Sequence, residues 1–211
     1  KKNMKLLVAL SIVSIACATQ FVPIPGEMEG FSMGPTRTNY TIDVYYDHLC
    51  PDSAAAWEGL QKYFHANQYW LRVVIHIFPL PYHTFSFVVS QAGRFIQDNY
   101  PDDFISYLQF MFDHRSKYLD TALFWTMQQI KNNIAADASS LSQATFSEVL
   151  NALESDSVNN EVRVGWKYGC SRGVSGTPIH FVNGVMVPDA TGFTTEQAWA
   201  HFFYSLNATK Y

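Results

Sequence analysis

Residues 41–78 place a helix pattern between two strand patterns, and this arrangement limits the folds open to the chain more than any other feature. Residues 41–46 are β-branched or aromatic with apolar side chains at alternate positions, which predicts a strand. Residues 53–66 carry apolar side chains at helical spacing, and residues 71–78 form a second strand-like run that ends before a proline. Two strands joined by a helix form a parallel pair, so this segment predicts a βαβ unit and an α/β fold.

The segment that follows is helical rather than alternating in pattern. It contains five stretches with helical spacing or composition, at residues 85–98, 103–117, 119–132, 143–155 and 157–170. An Ala-Asp-Ser stretch at 135–142 predicts a break after the third of them. Residues 85–170 are therefore expected to form a helical block inserted into the α/β fold.

The last part of the sequence returns to strand patterns. Residues 177–182 predict a strand with a proline near its start, and Asn183-Gly184 is a strong signal for a hairpin turn into a return strand. A final helix follows, for which Thr194 and Gln197 predict a capping box. The complete order of elements is βαβ, helical block, ββα.

Composition excludes several classes of protein. Of the 211 residues, 48% are hydrophobic and 16% are aromatic, which suffices for a packed core and argues against a disordered chain. The sequence pI of about 5.9 argues against a nucleic-acid partner, as does the lack of a Lys/Arg cluster in the body of the chain.

Residues 1–18 have the three parts of a secretory signal peptide. Three lysines precede a short apolar run, and Ala16 and Ala18 supply the small residues expected before a cleavage site. An uncleaved anchor and a lipoprotein modified at Cys17 are the alternatives. Removal of this segment would leave 11 basic and 18 acidic residues and no membrane span. Residues 19–38, rich in Pro, Gly, Met and Thr, predict an extended arm.

Two N-x-T triplets, at Asn39 and Asn207, accompany this leader. Behind a signal peptide they predict N-linked glycans on exposed segments. We therefore expect a secreted protein or a protein of the secretory-pathway lumen.

Three sequence blocks, together with the order of elements, resemble the DsbA-like branch of the thioredoxin superfamily. The blocks are residues 45–53 (YYDHLCPDS), 78–83 (FPLPYH) and 173–184 (GVSGTPIHFVNG), of which the last is the most specific. The Cys-Pro-Asp-Ser signature and the middle block are also similar to a group of uncharacterised eukaryotic thioredoxin-superfamily proteins.

The resemblance implies a fold and a site. It implies a thioredoxin-like domain formed by residues 39–84 and 171–211, with residues 85–170 as the helical insertion. It also implies that Pro178 is cis and faces Cys50. Surplus aromatic side chains of the insertion could then line a hydrophobic groove for a client protein.

The site chemistry that the resemblance implies centres on Cys50. Cys50 would be the nucleophile, because the N-terminus of a helix stabilises a thiolate. Pro51 and Asp52 would flank it on the first helical turn. Thr177 and Pro178 would offer their backbone to a bound peptide strand.

Ser53 is the main departure from the redox members of this superfamily. Those members carry Cys-x-x-Cys, in which the second cysteine resolves the mixed disulfide formed by the first. Ser53 cannot form a disulfide, but it can donate a hydrogen bond to the sulfur of Cys50 one turn earlier. The sequence therefore predicts a monothiol site rather than a dithiol oxidoreductase.

Alternatives remain open around this site. Cys50 is either a reactive thiolate or an inert residue. Cys170 either pairs with Cys50, the default for two cysteines in a secreted chain, or packs as a buried small apolar residue, which the implied separation favours. His48 either tunes the thiolate of Cys50 or lies exposed beside it.

Two classes of function follow from these residues. The first is monothiol thiol–disulfide exchange or client binding, with protein thiols or glutathione as partners. The second is a non-catalytic binding protein or structural subunit of a lumenal or extracellular assembly. A glutathione transferase-like role is a third, weaker hypothesis, because one DsbA-like transferase class has serine at the active site.

His76, His83 and His180 lack the spacing of metal ligands, so no metal site is predicted.

Overall fold

The protein is represented by a computed structural model that describes residues 22–208. The predicted signal peptide, with Cys17, lies outside the described residues. So do the side chain of Asn207 and the threonine of its sequon.

A single five-stranded sheet organises the fold. Its strands are β1 (Phe31–Met33), β2 (Tyr40–Tyr46), β3 (Leu71–Ile77), β4 (Ile179–Val182) and β5 (Val185–Met186), in the spatial order β1-β3-β2-β4-β5. β2 and β3 are parallel, and the other neighbouring pairs are antiparallel. The predicted βαβ unit and hairpin are therefore confirmed.

Eight helices surround the sheet. They are α1 (Pro51–Asn67), α2 (Ser86–Asn99), α3 (Phe104–Asp113), α4 (Arg115–Leu119), α5 (Met127–Leu141), α6 (Phe146–Leu153), α7 (Asp156–Ser171) and α8 (Glu196–Ala208). α2 to α7 form the insertion between β3 and β4. No helix among residues 22–208 is both long enough and apolar enough to cross a membrane.

The two faces of the sheet are covered by different helices, because adjacent residues of a strand point to opposite faces. Tyr46 of β2 lies 6.1 Å, centroid to centroid, from Trp57 of α1. Its neighbour Tyr45 packs on the opposite face against Phe78. A Cβ on Gly169 of α7 would lie 3.0 Å from the Tyr45 ring, so α7 covers that face.

The predicted extended arm at residues 19–38 contains a short strand that the sequence did not indicate. Residues 31–33 form β1, which pairs antiparallel with the exposed edge of β3. Gly30 and Gly34 flank this strand with φ angles of 100° and 86°, a region that favours glycine. A strand of three residues is too short to show an alternating pattern, so the sequence gives no signal for it.

Two predicted boundaries within the insertion are wrong. The helix expected at 103–117 is divided into α3 and α4, and the helix expected at 119–132 begins only at Met127.

The predicted break at 135–142 is wrong as well, because these residues lie largely within α5. Thr126 starts α5 with a capping box, and Ala135 and Ala138 on its inner face are fully buried. Tertiary burial therefore overrides the weak helix propensity of the Asp and Ser residues.

The start of α8 differs from prediction by one residue. The Oγ1 of Thr195, rather than that of Thr194, accepts a hydrogen bond from the backbone N–H of Ala198 at 3.3 Å. α8 packs closely on α1 at this point, because a Cβ on Gly59 would lie 2.4 Å from the backbone nitrogen of Thr195.

Candidate functional site

Cys50 lies at the junction of β2 and α1. It is the N-cap residue of α1, with φ −73° and ψ 122°, and its side chain makes no capping hydrogen bond. Its backbone N–H donates to the carbonyl oxygen of Asp47 at 3.1 Å, which closes the turn. Pro51 begins the helix, where its missing N–H is not needed. The thiol therefore lies at the positive end of the α1 dipole.

Cys50 lies in a small apolar cluster and is 3% exposed as a residue. This cluster, which we call the thiol cluster, contains Tyr45, Cys50, Phe78, Leu80, Val174 and Phe181. Sγ donates a hydrogen bond to the carbonyl oxygen of Thr177 at 3.4 Å. Tyr168 of α7 and Ile179 of β4 pack against the thiol cluster, and no residue of the 22–38 segment belongs to it.

The Thr177–Pro178 peptide bond is cis, as the resemblance implied. Pro178 is buried, and β4 begins at the next residue. The hydrogen bond from Cys50 ends on the carbonyl group of this same peptide bond. The structure therefore brings Cys50, Thr177 and Pro178 together, although they are far apart in the sequence.

Pro51, Asp52 and Ser53 form the first turn of α1 after Cys50. Pro51 and Asp52 are exposed, so both can contact a bound molecule. Ser53 is fully buried, and its Oγ has no hydrogen-bond partner among the described residues. The expected hydrogen bond from Ser53 to the sulfur of Cys50 is therefore not formed.

His48 is buried rather than exposed beside the site, so that expectation is wrong. Its ring is 1% exposed, and Nδ1 lies 3.4 Å from the Oγ of Ser90 in α2. Gly93 makes room for the ring, since a Cβ there would lie 2.7 Å from Nε2. Burial lowers the pKa of His48 to about 4, against the raising effect of Asp47. A substrate cannot reach this ring, and it carries no positive charge near neutral pH to stabilise a thiolate.

Asp47 organises the loop that faces the site, a role that sequence reasoning missed. Its carboxylate is fully buried and accepts hydrogen bonds from the backbone N–H of Leu49 at 2.8 Å and of Leu80 at 2.9 Å. It also accepts from the Oγ of Ser86 and lies 2.8 Å from the Nδ1 of His83. The sequence signal for this pair is weak: Asp47 stands three residues before Cys50, and His83 ends the 78–83 block.

A cavity of about 290 Å³ lies beside this loop. Its lining is mostly apolar and comprises Pro79, Leu80, Pro81, His83, Thr84, Phe87, Arg163 and Trp166. Leu80 belongs to this lining and to the thiol cluster, so the cavity and Cys50 share a wall. The aromatic lining comes from α2 and α7 of the insertion.

Cys170 is exposed, so the prediction of a buried packing residue is wrong. It lies near the C-terminal end of α7, and both Cys50 and Cys170 are free thiols. Local desolvation raises the pKa of the Cys170 thiol, which favours its protonated form. The neighbouring Gly169, rather than Cys170, occupies the packed position against Phe78.

The remaining predicted residues lie apart from the thiol. His76 contacts Glu29 and Asp43 on the far side of the sheet from α1. His180 is fully buried, and within the described part of the chain neither of its ring nitrogens has a hydrogen-bond partner. Within residues 22–208, no three side chains of the metal-binding types converge. Asn39 is exposed at the start of β2, a position that a glycan could occupy.

Comparisons with known proteins find similar folds among solved structures. No protein-family model and no curated protein matches the sequence. Among solved structures, BdbD from Bacillus subtilis is similar, with a TM-score of 0.68 and 13% identity over 83% of this chain and 91% of that one. DsbA from Chlamydia trachomatis is also similar, with a TM-score of 0.66 and 13% identity over 90% of this chain and 97% of that one.

A third similar structure is MdbA, a thiol-disulfide oxidoreductase from Actinomyces oris. Its TM-score is 0.64, with 19% identity over 82% of this chain and 86% of that one. Identities this low establish architecture alone. Together with the cis Thr177–Pro178 bond and the helical insertion, they show that this chain has the DsbA-like form of the thioredoxin fold.

Proposed function

We propose that this protein exchanges thiols and disulfides through a single nucleophile, Cys50, with protein thiols or glutathione as partners. One observation carries the proposal: the sulfur of Cys50 lies at the N-terminus of α1 and 3.4 Å from the carbonyl oxygen that precedes Pro178. A helix N-terminus favours the thiolate, which is the attacking form. The backbone of Thr177 offers a bound peptide a hydrogen-bonding edge beside the sulfur.

The exchange proceeds in two balanced steps. The Cys50 thiolate attacks one sulfur of a disulfide R–S–S–R′, so that a Cys50–S–S–R bond forms and R′S⁻ leaves and takes up a proton. A second thiol, R″SH, then loses its proton and attacks the R sulfur as the thiolate. It forms R–S–S–R″ and releases Cys50, so no external oxidant or reductant is consumed.

Ser53 gives this chemistry its monothiol character. A second cysteine at this position would attack the Cys50–S–S–R bond from within the protein. The Ser53 hydroxyl is buried without a partner and cannot perform that step. Release therefore depends on a thiol from outside, such as glutathione, and the mixed disulfide is expected to persist until one arrives.

The proposed compartment is the lumen of the secretory pathway or the exterior of the cell. Residues 1–18 have the pattern of a signal peptide, and the exposed Asn39 sequon can be glycosylated there. These compartments also keep disulfides available for exchange.

Trapping of mixed disulfides in cells tests the proposal. The chain is expressed in a secretory pathway, free thiols are blocked with N-ethylmaleimide, and disulfide-linked partners are identified after non-reducing separation. We expect adducts with the natural chain and with Cys170→Ser, which removes the exposed second thiol, but none when Cys50→Ala is combined with Cys170→Ser. Adducts that survive in this double variant, or no adduct with the Cys170→Ser chain, would contradict the proposal.

One observation favours a second candidate, a non-catalytic binding protein. Cys50 is only 3% exposed, so an incoming disulfide has little access to its sulfur. In that case the thiol is a packing residue of the thiol cluster, and partners bind without covalent linkage. A natural chain and a Cys50→Ala variant that capture the same partners in the same amounts would support this alternative.

A further inference from the structure

We propose that His83, held by Asp47, transfers the proton in the thiol exchange at Cys50. This inference rests on the proposed function and adds to it a named acid–base residue. His83 would donate the proton that the departing thiolate R′S⁻ takes up and would later accept one from the releasing thiol.

The contact with Asp47 fixes the state of the His83 ring. The carboxylate lies 2.8 Å from Nδ1 and is itself fully buried, so Nδ1 carries a hydrogen and donates it. The hydrogen bond that the ring makes within residues 22–208 is through Nδ1. The side chain is 15% exposed and lines the cavity, so Nε2 is the nitrogen that can meet a substrate there.

Asp47 hydrogen-bonds to the backbone of Cys50 and to two residues of the 78–83 loop, so it connects His83 with Cys50. The carbonyl of Asp47 holds the backbone N–H of Cys50, while its carboxylate holds His83 and the N–H of Leu80. The exposed ring of Tyr82 lies 5.1 Å from that of His83 on the same loop.

The cavity is a suitable place for the departing sulfur. Its walls are mostly proline, leucine and aromatic side chains, which disfavour a charged thiolate, and the charged or titratable side chains among them are His83 and Arg163. Protonation at the cavity wall therefore assists the separation of R′SH. Leu80 belongs both to this lining and to the thiol cluster, so we infer that a disulfide that reaches Cys50 along Leu80 brings its second sulfur to the cavity that His83 lines.

The proton balance is complete without another reactant. When the Cys50–S–S–R bond forms and the original S–S bond breaks, R′S⁻ takes the proton from Nε2 of the imidazolium, which becomes neutral. In the release step R″SH gives its proton to Nε2 and attacks the R sulfur as the thiolate. Cys50 leaves as the thiolate, and His83 has returned to its starting state.

A purely structural role is the competing explanation, since the same hydrogen bonds hold the loop in place. His83→Asn separates the two, because the asparagine amide can donate to Asp47 near the position of Nδ1 but has no counterpart of Nε2. Ser86→Ala is the matched control. It removes another hydrogen bond to Asp47 and leaves the imidazole unchanged.

The experiment compares disulfides with different leaving groups. The full chain carries Cys17→Ser and Cys170→Ser, so Cys50 is its only thiol, and its reaction is followed by stopped flow. Glutathione disulfide releases a basic thiolate that needs a proton, whereas an aromatic disulfide such as dithionitrobenzoate releases a stable thiolate that needs none. Thermal unfolding of each variant checks the fold.

We expect His83→Asn to slow the reaction with glutathione disulfide at least about tenfold. This factor is below the roughly 100-fold to 10,000-fold rate enhancement that general acid–base catalysis usually provides. The aromatic disulfide should react within about twofold of the unsubstituted rate, because its leaving group needs no proton. Ser86→Ala keeps the imidazole, so it should change both rates by the same factor. Equal slowing with both disulfides, or no slowing with either, would overturn the role of His83.

The outcome also separates this inference from the proposed function. If His83→Asn fails to discriminate but Cys50 still reacts, only the inference is overturned. If the unsubstituted Cys50 does not react with either disulfide, both are overturned.

Discussion

The sulfur of Cys50 lies 3.4 Å from the carbonyl oxygen of Thr177, across 127 residues of sequence. In the thiol form Sγ donates its proton to this carbonyl. Once Sγ enters a disulfide it has no proton to donate, and the carbonyl can accept an N–H from the chain attached to it. In the proposed exchange, formation of a mixed disulfide and pairing of a bound peptide with this carbonyl should therefore favour each other.

Ser53→Cys should convert the monothiol site into a dithiol site. Ser53 is fully buried one turn after Cys50, and its Oγ has no hydrogen bond to lose. The new sulfur should attack a mixed disulfide on Cys50 and release the partner at least about tenfold faster than external glutathione does, because the reaction is intramolecular. Release of a preformed glutathione adduct, followed by mass spectrometry, measures this rate.

Ser53→Ala is the control for that change. It removes the hydroxyl without adding a thiol, so adduct lifetime should match that of the natural chain. A Ser53→Cys protein that keeps its adduct as long as the control does would show that the side chain at this position does not face the sulfur.

His76 should make the fold less stable as the pH rises. Its ring contacts Glu29 of the N-terminal segment through Nδ1 and Asp43 of β2 through Nε2 at 3.0 Å. Burial lowers the pKa of His76, but the hydrogen bonds and charges of Asp43 and Glu29 outweigh it, so the pKa lies above 6.5. The stabilisation is therefore complete below about pH 6.5 and is lost as the pH rises through the higher folded value.

Glu29→Gln tests this pH dependence. The amide keeps the size of the side chain but not its charge, so the variant should lose about 1–3 kcal/mol of unfolding free energy at pH 6. The difference from the natural chain should shrink at higher pH. Other charges nearby are Arg94, 3.9 Å from Glu29, and Arg172, 3.6 Å from Asp43, and both stay positive in this range. Urea unfolding that gives a constant difference from pH 6 to pH 9 would refute the role of His76.

Gly59→Ala should destabilise the contact between α1 and α8. The added Cβ would lie 2.4 Å from the backbone nitrogen of Thr195, and a backbone atom cannot move as a flexible side chain can. A loss of about 1–3 kcal/mol is expected, as for other overpacked positions. Gly192→Ala is the control, because nothing lies within 4 Å of its Cβ position. Equal thermal stability of the two variants would contradict the close packing described here.

The sequence predicted the parts of the fold that follow from local patterns. The βαβ unit follows from alternation and helical spacing, and the hairpin follows from Asn183-Gly184, which adopt φ angles of 49° and 79°. The break at 135–142 was predicted wrongly, because burial of Ala135 and Ala138 against the rest of the insertion is not visible in a window of sequence.

The candidate site was predictable only in part, for a related reason. Cys50 and Pro178 stand in motifs, and the resemblance places them together. The Asp47–His83 pair and the burial of His48 depend on how the 78–83 loop and α2 pack onto the end of β2. Contacts between segments this far apart produce no recognisable motif in the sequence. The motifs therefore indicated His48 as a site residue and gave no signal for His83.

Reaction of Cys50 with glutathione disulfide is the most direct test of a monothiol site. The purified chain with Cys17→Ser and Cys170→Ser is incubated with glutathione disulfide near neutral pH, and its intact mass is followed with time. We predict one glutathione adduct on Cys50, stable until a reducing thiol is added, and no adduct on the Cys50→Ala chain. A folded chain whose mass stays unchanged would contradict the account.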